Sequence, residues 1–189
     1  KDALAYKEAD PHYFRPYGLR IDWKVIAQAG DVMSLEGFIY TNTSGAHGNY
    51  FTDARLYDSL TGSPLRLSAF FREPQAAVKG HMNRVWLGIA DQKVLKGAKA
   101  SQSGMFATEA AERVSADMVL AAEVSLVPST EAGKFGGYAV HFAPYEIGSY
   151  AEGAYHITVP QSAFYEDLKR EYAGLFGGEP VEITRLDQQ

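Results

Sequence analysis

The sequence of 189 residues predicts one α+β domain, in which an antiparallel sheet carries one or two packed helices. Alternating apolar and polar residues fill most of the first 70 positions, a helical stripe follows Pro74, and alternation returns after Met118. The strands are therefore grouped before and after a central helix. Without internal repeats or low-complexity tracts, residues 1–189 are assigned to a single domain, with 1–70 and 71–189 as candidate subregions.

The early strands form a predicted meander. One apolar face is expected from alternation in the first strand, and it consists of Leu19, Ile21, Trp23, Val25 and Ala27. Further strands are expected at Val32–Thr41, Tyr50–Asp58 and the short run Leu65–Leu67, separated by a loop at 43–49 and a turn at 59–64. We expect Trp23 to face the core.

A helix is predicted to open at Pro74, because apolar residues recur on one stripe. The stripe, which should cover the sheet, consists of Val78, Met82, Val85, Trp86 and Ile89. A loop is predicted at Lys96–Gly104, and a short helical turn at Thr108–Arg113.

The second half of the chain returns to strands. These are expected at Met118–Val127, Tyr138–Phe142 and Tyr155–Val159, with a hairpin loop at 128–137. Ser162 can cap a last helix, which Gly177 and Gly178 would end. The apolar stripe of that helix is Phe164, Leu168, Tyr172, Leu175 and Phe176, and a final strand is expected at Val181–Leu186. Phe164, Phe176 and Trp86 are expected in the core.

The composition narrows the function classes. With no cysteine, the chain has no disulfides, thiol nucleophiles or Cys-based metal sites. Eighteen Lys and Arg stand against 23 Asp and Glu, and the net charge is −5. Because the basic residues are scattered, nucleic acid is a poor candidate partner. The aromatic share of 13%, with 12 Tyr, is high and requires an explanation.

The first residues, Lys1 to Leu4, contain neither an initiator Met nor the apolar core of a signal peptide. We expect that a leader or an anchor preceded them. A secretion signal, a lipid anchor and a membrane helix all remain open, since no stretch of the chain reaches the roughly 18 apolar residues that span a bilayer.

Motifs for metal binding, nucleotide binding and nucleophilic catalysis are missing from the sequence. The five histidines are far apart and lack H-x-x-x-H spacing, so no metal site and no cofactor are expected. Neither G-x-S-x-G nor a phosphate-binding glycine loop occurs. His141 and His156 lie on strands that could pair, which would bring the two rings together. The alternative, two strand histidines facing solvent, is favoured.

Glu146 is the one acid that stands out. It lies among Tyr145, Tyr150 and Tyr155, where desolvation could raise its pKa and suit it to acid–base chemistry. The favoured alternative is structural, with the carboxylate accepting backbone amides at a turn. No catalytic residue is assigned.

Two segments carry a resemblance. The first is Ser44–Asn49, followed by Tyr57–Leu67 and Phe70-Phe71, and the second is Val140–Gly153, followed by Ile157–Pro160. Together they resemble an extracytoplasmic bacterial domain of unknown function. This domain is shared by the RsiV-like anti-sigma-factor ectodomain that senses lysozyme, a non-catalytic region of a peptidoglycan deacetylase and certain secreted immunogenic proteins. Ser44 departs from the second Gly that the family usually has there.

The resemblance implies a periplasmic or cell-envelope protein, either a lipoprotein or a tethered ectodomain, whose only membrane attachment is an anchor outside this chain. It implies a non-catalytic binding module for a lysozyme-like protein or a peptidoglycan fragment. The candidate ligand surface consists of His47, Tyr145, Glu146, Tyr150 and Tyr155. A glycan-modifying enzyme or its accessory domain, and a signalling ectodomain, are the alternatives.

Overall fold

The computed structural model describes residues 2–12, 14–43 and 47–186. Their helices are α1 (Asp2–Ala9), α2 (Pro74–Leu95), α3 (Ser103–Arg113), α4 (Ala116–Ala121) and α5 (Arg170–Ala173). The strands are β1 (Gly18–Ala29), β2 (Val32–Asn42), β3 (Asn49–Asp58), β4 (Pro64–Leu65), β5 (Glu123–Pro128), β6 (Phe135–Phe142) and β7 (Tyr155–Pro160). The predicted α+β class, with strands before and after a central helix, is confirmed.

The first sheet is the predicted antiparallel meander, in the order β1-β2-β3-β4. Gly30 makes the tight turn between β1 and β2 at a φ of 51°, which glycine adopts without steric cost. The Asp58 carboxylate accepts the amides of Leu60 and Thr61 and so holds the turn that follows β3. Of the predicted loop at 43–49, Ser44 to Ala46 lie outside the described residues.

The apolar face of β1 does not turn to the core, which corrects the expectation for Trp23. Leu19, Ile21, Trp23 and Val25 share a face but remain 44% to 68% exposed. A β-bulge between Val25 and Ala27 shifts the pairing with β2 by one residue. Since side chains alternate across a strand, the shift moves Ala27 to the opposite face, where it packs against the core.

The second sheet has β6 between β5 and β7, and β6 is buried along its whole length. One face of this sheet lies on α2, where the Tyr138 hydroxyl is 2.5 Å from the imidazole of His81. The other face meets the first sheet through polar contacts. The Leu126 amide donates to the hydroxyl of Ser34, and the Ala54 amide donates to the carboxylate of Glu123.

The helix predicted from Pro74 is confirmed as α2, with Pro74 at its first position. The stripe residues Val78, Met82, Val85 and Ile89 are buried, and the partly buried Trp86 donates its indole N–H to the Val114 carbonyl. No described helix, α2 with its 22 residues included, is long and apolar enough to cross a membrane.

The strand predicted from Met118 is wrong in its first half. The Ser115 hydroxyl accepts the Met118 amide at 3.3 Å, and Asp117 lies in the first turn. This N-cap and first-turn charge favour a helix, so α4 forms and β5 begins only at Glu123. Likewise α3 begins at Ser103, earlier than the predicted turn.

The helix predicted from Ser162 is broken, although its stripe residues Phe164, Leu168 and Phe176 are buried as expected. Leu168 is extended and bridges to Phe71, and the Lys169 amide donates to the Phe70 carbonyl. These bonds replace the helical ones. Two 3₁₀ turns and α5 remain in place of one helix.

The final strand predicted at Val181–Leu186 is also wrong, since these described residues form no strand. The Val181 amide donates to Pro128, and further on the Arg185 side chain turns inward and is buried. The segment therefore does not extend a sheet, and its Arg185 side chain reaches the buried carboxylate of Glu36.

Gly80→Ala and Gly88→Ala form a matched pair in α2. A Cβ at Gly80 meets nothing within 4 Å, so alanine should stabilise the protein by about 1 kcal/mol through helix propensity. A Cβ at Gly88 would lie 2.6 Å from Ile157 of β7, so the same change should destabilise by about 1 to 3 kcal/mol. Urea denaturation measures both. Equal effects would contradict this packing of α2 on β7.

Acid should weaken the fold through His81. Burial disfavours the imidazolium and lowers the pKa of His81 to about 4. An unfolded chain binds this proton near a pKa of about 6.5, so stability is lost as pH falls from about 6.5 to 4, by up to about 3 kcal/mol.

Denaturation of wild type and His81→Leu at several pH values checks this. The variant should show a flatter stability profile between pH 6.5 and 4, and His12→Gln, at an exposed histidine, serves as the control. An unchanged slope in His81→Leu would contradict the assignment.

Candidate functional site

A groove of about 720 Å³ opens where the two sheets meet. One wall is the start of β3, and the other is α4, the end of β6 and the loop that follows it. We call it the tyrosine groove after its three tyrosines. The Phe and Tyr rings that line it are those of Tyr50, Phe51, Tyr145 and Tyr150, together with the buried Phe142. Its volume is in the range of small-molecule binding sites.

Tyr150 joins the two loops beside the groove. Its ring stacks on the imidazole of His47 at 3.9 Å between centroids, and its hydroxyl donates to the Gly48 carbonyl. Tyr50 meets Tyr150 edge-on at 6.3 Å. Partial desolvation and the neighbouring phenols raise the pKa of Tyr150, so its hydroxyl remains a donor. The wall formed by Tyr50 and Tyr150 is therefore pre-organised.

Tyr145 lies at the rim with 62% of its surface exposed, and its ring is 5.5 Å from that of Tyr150. Its φ of 77° is the only positive value among the described non-glycine residues. The Glu146 amide donates to the Ala143 carbonyl, which closes a turn with Pro144 second and Tyr145 third. This is the form of a type II turn, whose third position normally takes glycine. A tyrosine there carries backbone strain.

Two carboxylates line the groove. Glu146 is exposed and accepts the Ala143 amide at 2.8 Å, as the structural alternative for this residue predicts. Glu123 accepts the Ala54 amide at 3.1 Å. Partial burial raises the pKa of Glu123, and the hydrogen bond from Ala54 opposes that rise. Each carboxylate keeps acceptor positions that a ligand could use.

His141 connects the groove to a buried network. The favoured prediction of two solvent-facing histidines is therefore wrong. It pairs with His156 across the sheet, and their Nδ1 atoms are 2.8 Å apart. Nε2 of His141 lies 2.9 Å from the hydroxyl of Ser125, which itself donates to buried Glu36. Burial, His156 and the Arg185 guanidinium lower the pKa of His141 well below its usual range.

The directions of these hydrogen bonds indicate a structural role for Ser125 and His141. Ser125 gives its proton to Glu36, so the neutral His141 donates to Ser125 instead of accepting from it. A nucleophilic serine needs the reverse direction and an exposed oxygen, whereas Ser125 is fully buried. The buried Arg185 guanidinium forms an ion pair with the Glu36 carboxylate.

The structure brings together most of the surface predicted from sequence. Tyr145, Glu146 and Tyr150 line the groove, and His47 stacks behind Tyr150. Tyr155 does not belong there and is corrected: it is fully buried, and its hydroxyl donates to Glu152. That bond, the Ser149 groups and Lys93 lower the pKa of Glu152 to about 2, which marks a structural carboxylate.

Sequence reasoning missed the other wall of the groove. Tyr50, Phe51 and Glu123 come from strands, and Met118 comes from α4, which was predicted as a strand. Alternation gave no sign that β3 begins opposite the 143–150 loop. Across residues 2–12, 14–43 and 47–186, no group of three or more acidic or histidine side chains could hold a metal ion.

The fold is similar to two solved structures described as DUF3298 family proteins. For one from Bacteroides fragilis the TM-score is 0.59 at 20% identity, over 92% of this chain and 64% of that one. For one from Pseudomonas aeruginosa PAO1 the TM-score is 0.53 at 18% identity, over 93% of this chain and 72% of that one. This chain thus spans less than two thirds of the Bacteroides protein. At such identity the likeness establishes the fold alone.

No family model and no curated protein matches the sequence. The structural neighbours are bacterial proteins of unknown function, which is compatible with the family that the two segments resemble. They do not confirm the resemblance to the RsiV-like ectodomain.

Tyr145→Gly and Tyr145→Ala together measure the strain at the rim. Both remove the ring, and they differ only in the Cβ at a φ of 77°. The glycine variant should therefore be more stable than the alanine variant by about 1 kcal/mol. Thermal and urea denaturation give the comparison. Equal stabilities would show that residue 145 does not hold a positive φ in solution.

Proposed function

We propose that this chain is a non-catalytic binding module of the bacterial cell envelope and that the tyrosine groove is its ligand site. The observation that carries the proposal is Tyr145, which combines an exposed ring with a strained backbone at the rim of an aromatic groove. Backbone strain of this kind costs of order 1 to 3 kcal/mol and concentrates at functional sites.

A cell-wall glycan segment is the ligand that the groove supports best. The flat C–H faces of sugars stack on aromatic rings, and four of the five Phe and Tyr rings that line this groove are exposed or partly exposed. Sugar hydroxyl and acetamido N–H groups can donate to Glu123 and Glu146. No Lys or Arg occurs among the described lining residues, which favours a neutral or cationic ligand over an anionic one.

A lysozyme-like envelope protein is the second candidate. The net charge of −5 would speed its encounter with a basic partner, and an exposed tyrosine is a common anchor in protein interfaces. The volume of the groove suits a short oligosaccharide better than a flat protein epitope.

A binding role is better supported than catalysis on glycans. Both groove carboxylates accept main-chain amides, Glu146 from Ala143 and Glu123 from Ala54, which holds them as fixed acceptors. The envelope location rests on the resemblance of the Ser44–Asn49 and Val140–Gly153 segments. An extracytoplasmic setting belongs to the same proposal.

Calorimetric titration with the tetramer of N-acetylglucosamine, with muropeptides and with hen egg-white lysozyme tests the ligand. We expect a glycan to bind and Tyr145→Ala to weaken it about tenfold or more. Tyr165→Ala, which removes another exposed tyrosine outside the lining residues, should bind like wild type.

Circular dichroism should show both variants folded. Binding of lysozyme alone would select the second candidate. If none of the three probes binds, or if Tyr145→Ala binds as tightly as wild type, the groove is not the ligand site.

A further inference from the structure

Strand β1 is a long, open edge. It has 12 residues and pairs only with β2 among the described strands. Residues Gly18 to Ile21 are exposed on both faces. An edge of this kind presents unpaired backbone N–H and C=O groups and is a ready template for a further strand. The bulge that interrupts it comes only after Val25, so Gly18–Val25 is a stretch without a bulge. A bond to the C-terminal segment lies at the far end of this stretch, where Lys24 donates to the Thr184 carbonyl.

The side chains of this stretch are self-complementary in charge. One face carries Leu19, Ile21 and Trp23, and the other carries Arg20, Asp22 and Lys24. Arg20 and Asp22 form an exposed ion pair at 2.5 Å within the strand. Opposite charges two residues apart allow two copies of the strand to satisfy each other.

We propose that two copies of this chain pair antiparallel along β1, with Ile21 opposite its own copy. In that register each Arg20 faces Asp22 of the other copy, and each Leu19 faces Trp23. The two first sheets then become one continuous sheet, with backbone hydrogen bonds supplying the contact.

Neighbouring registers are less favourable. Centring the pair on Asp22 sets Asp22 against itself and Arg20 against Lys24, which places like charges together. Centring it on Trp23 carries the pairing into the bulge at Ile26, where the faces no longer match. Centring it on Arg20 sets two arginines against each other, so among the centres from Arg20 to Trp23 charge and bulge favour Ile21.

A cysteine-free chain permits a direct test by disulfide trapping. Directly opposite residues in an antiparallel pair have Cα atoms about 4.5 to 5.5 Å apart, within the range of disulfides. Ile21→Cys should therefore form a disulfide dimer under mild oxidation. Val25→Cys, exposed on the same face, should not, because the register separates its two copies by about 26 Å.

Charge reversal tests the register without a covalent bond. Asp22→Arg sets two arginines against each other and should weaken the dimer about tenfold, as measured by analytical ultracentrifugation over a concentration series. The double variant Arg20→Asp with Asp22→Arg restores the pairing and should restore the dimer.

A wild-type chain that stays monomeric at every concentration would overturn the proposal. Equal trapping of Ile21→Cys and Val25→Cys, or a double variant as weak as Asp22→Arg, would overturn the register. Circular dichroism should show that each variant is folded. Ligand binding in the tyrosine groove is measured separately, by titration of the wild type. Failure of the dimer proposal therefore leaves the proposed function intact, and the reverse also holds.

Discussion

The buried carboxylate of Glu36 is the interaction on which the arrangement of the two sheets depends. It lies on β2 with 1% of its surface exposed, and it accepts the hydroxyl of Ser125 on β5 at 2.7 Å. Arg185, from the end of the described chain, supplies the opposite charge. Because a buried charge without partners costs several kcal/mol, these elements must meet in one arrangement.

The tyrosine groove follows from that arrangement, since its walls belong to different sheets. Tyr50 comes from the first sheet, and Tyr145 and Tyr150 come from the loop after β6. Edge-on packing of Tyr50 and Tyr150 fixes the wall, whereas Tyr145 stays exposed at a strained turn. A rigid wall beside an exposed ring on a strained backbone is the pattern expected of a pre-organised binding surface.

Part of the candidate site could be predicted because it is contiguous in the chain. Tyr145, Glu146 and Tyr150 lie within six residues, and glycine and proline in this segment indicated a loop. Tyr155 was misplaced although alternation put it on the same face as Ile157, which is buried against α2. The opposite wall of the groove depends on contacts between sheets, which no local pattern records.

The sequence by itself determined the α+β class, the meander and α2, because periodicities of 2 and 3.6 are local properties. Tertiary structure alone decided four features. A bulge set which face of β1 is exposed, and the bridge from Leu168 to Phe71 replaced a helix. Strand register brought His141 to His156, and a turn forced Tyr145 to positive φ. Periodicity reports how a segment is patterned, whereas partner and register are set by the free energy of the whole fold.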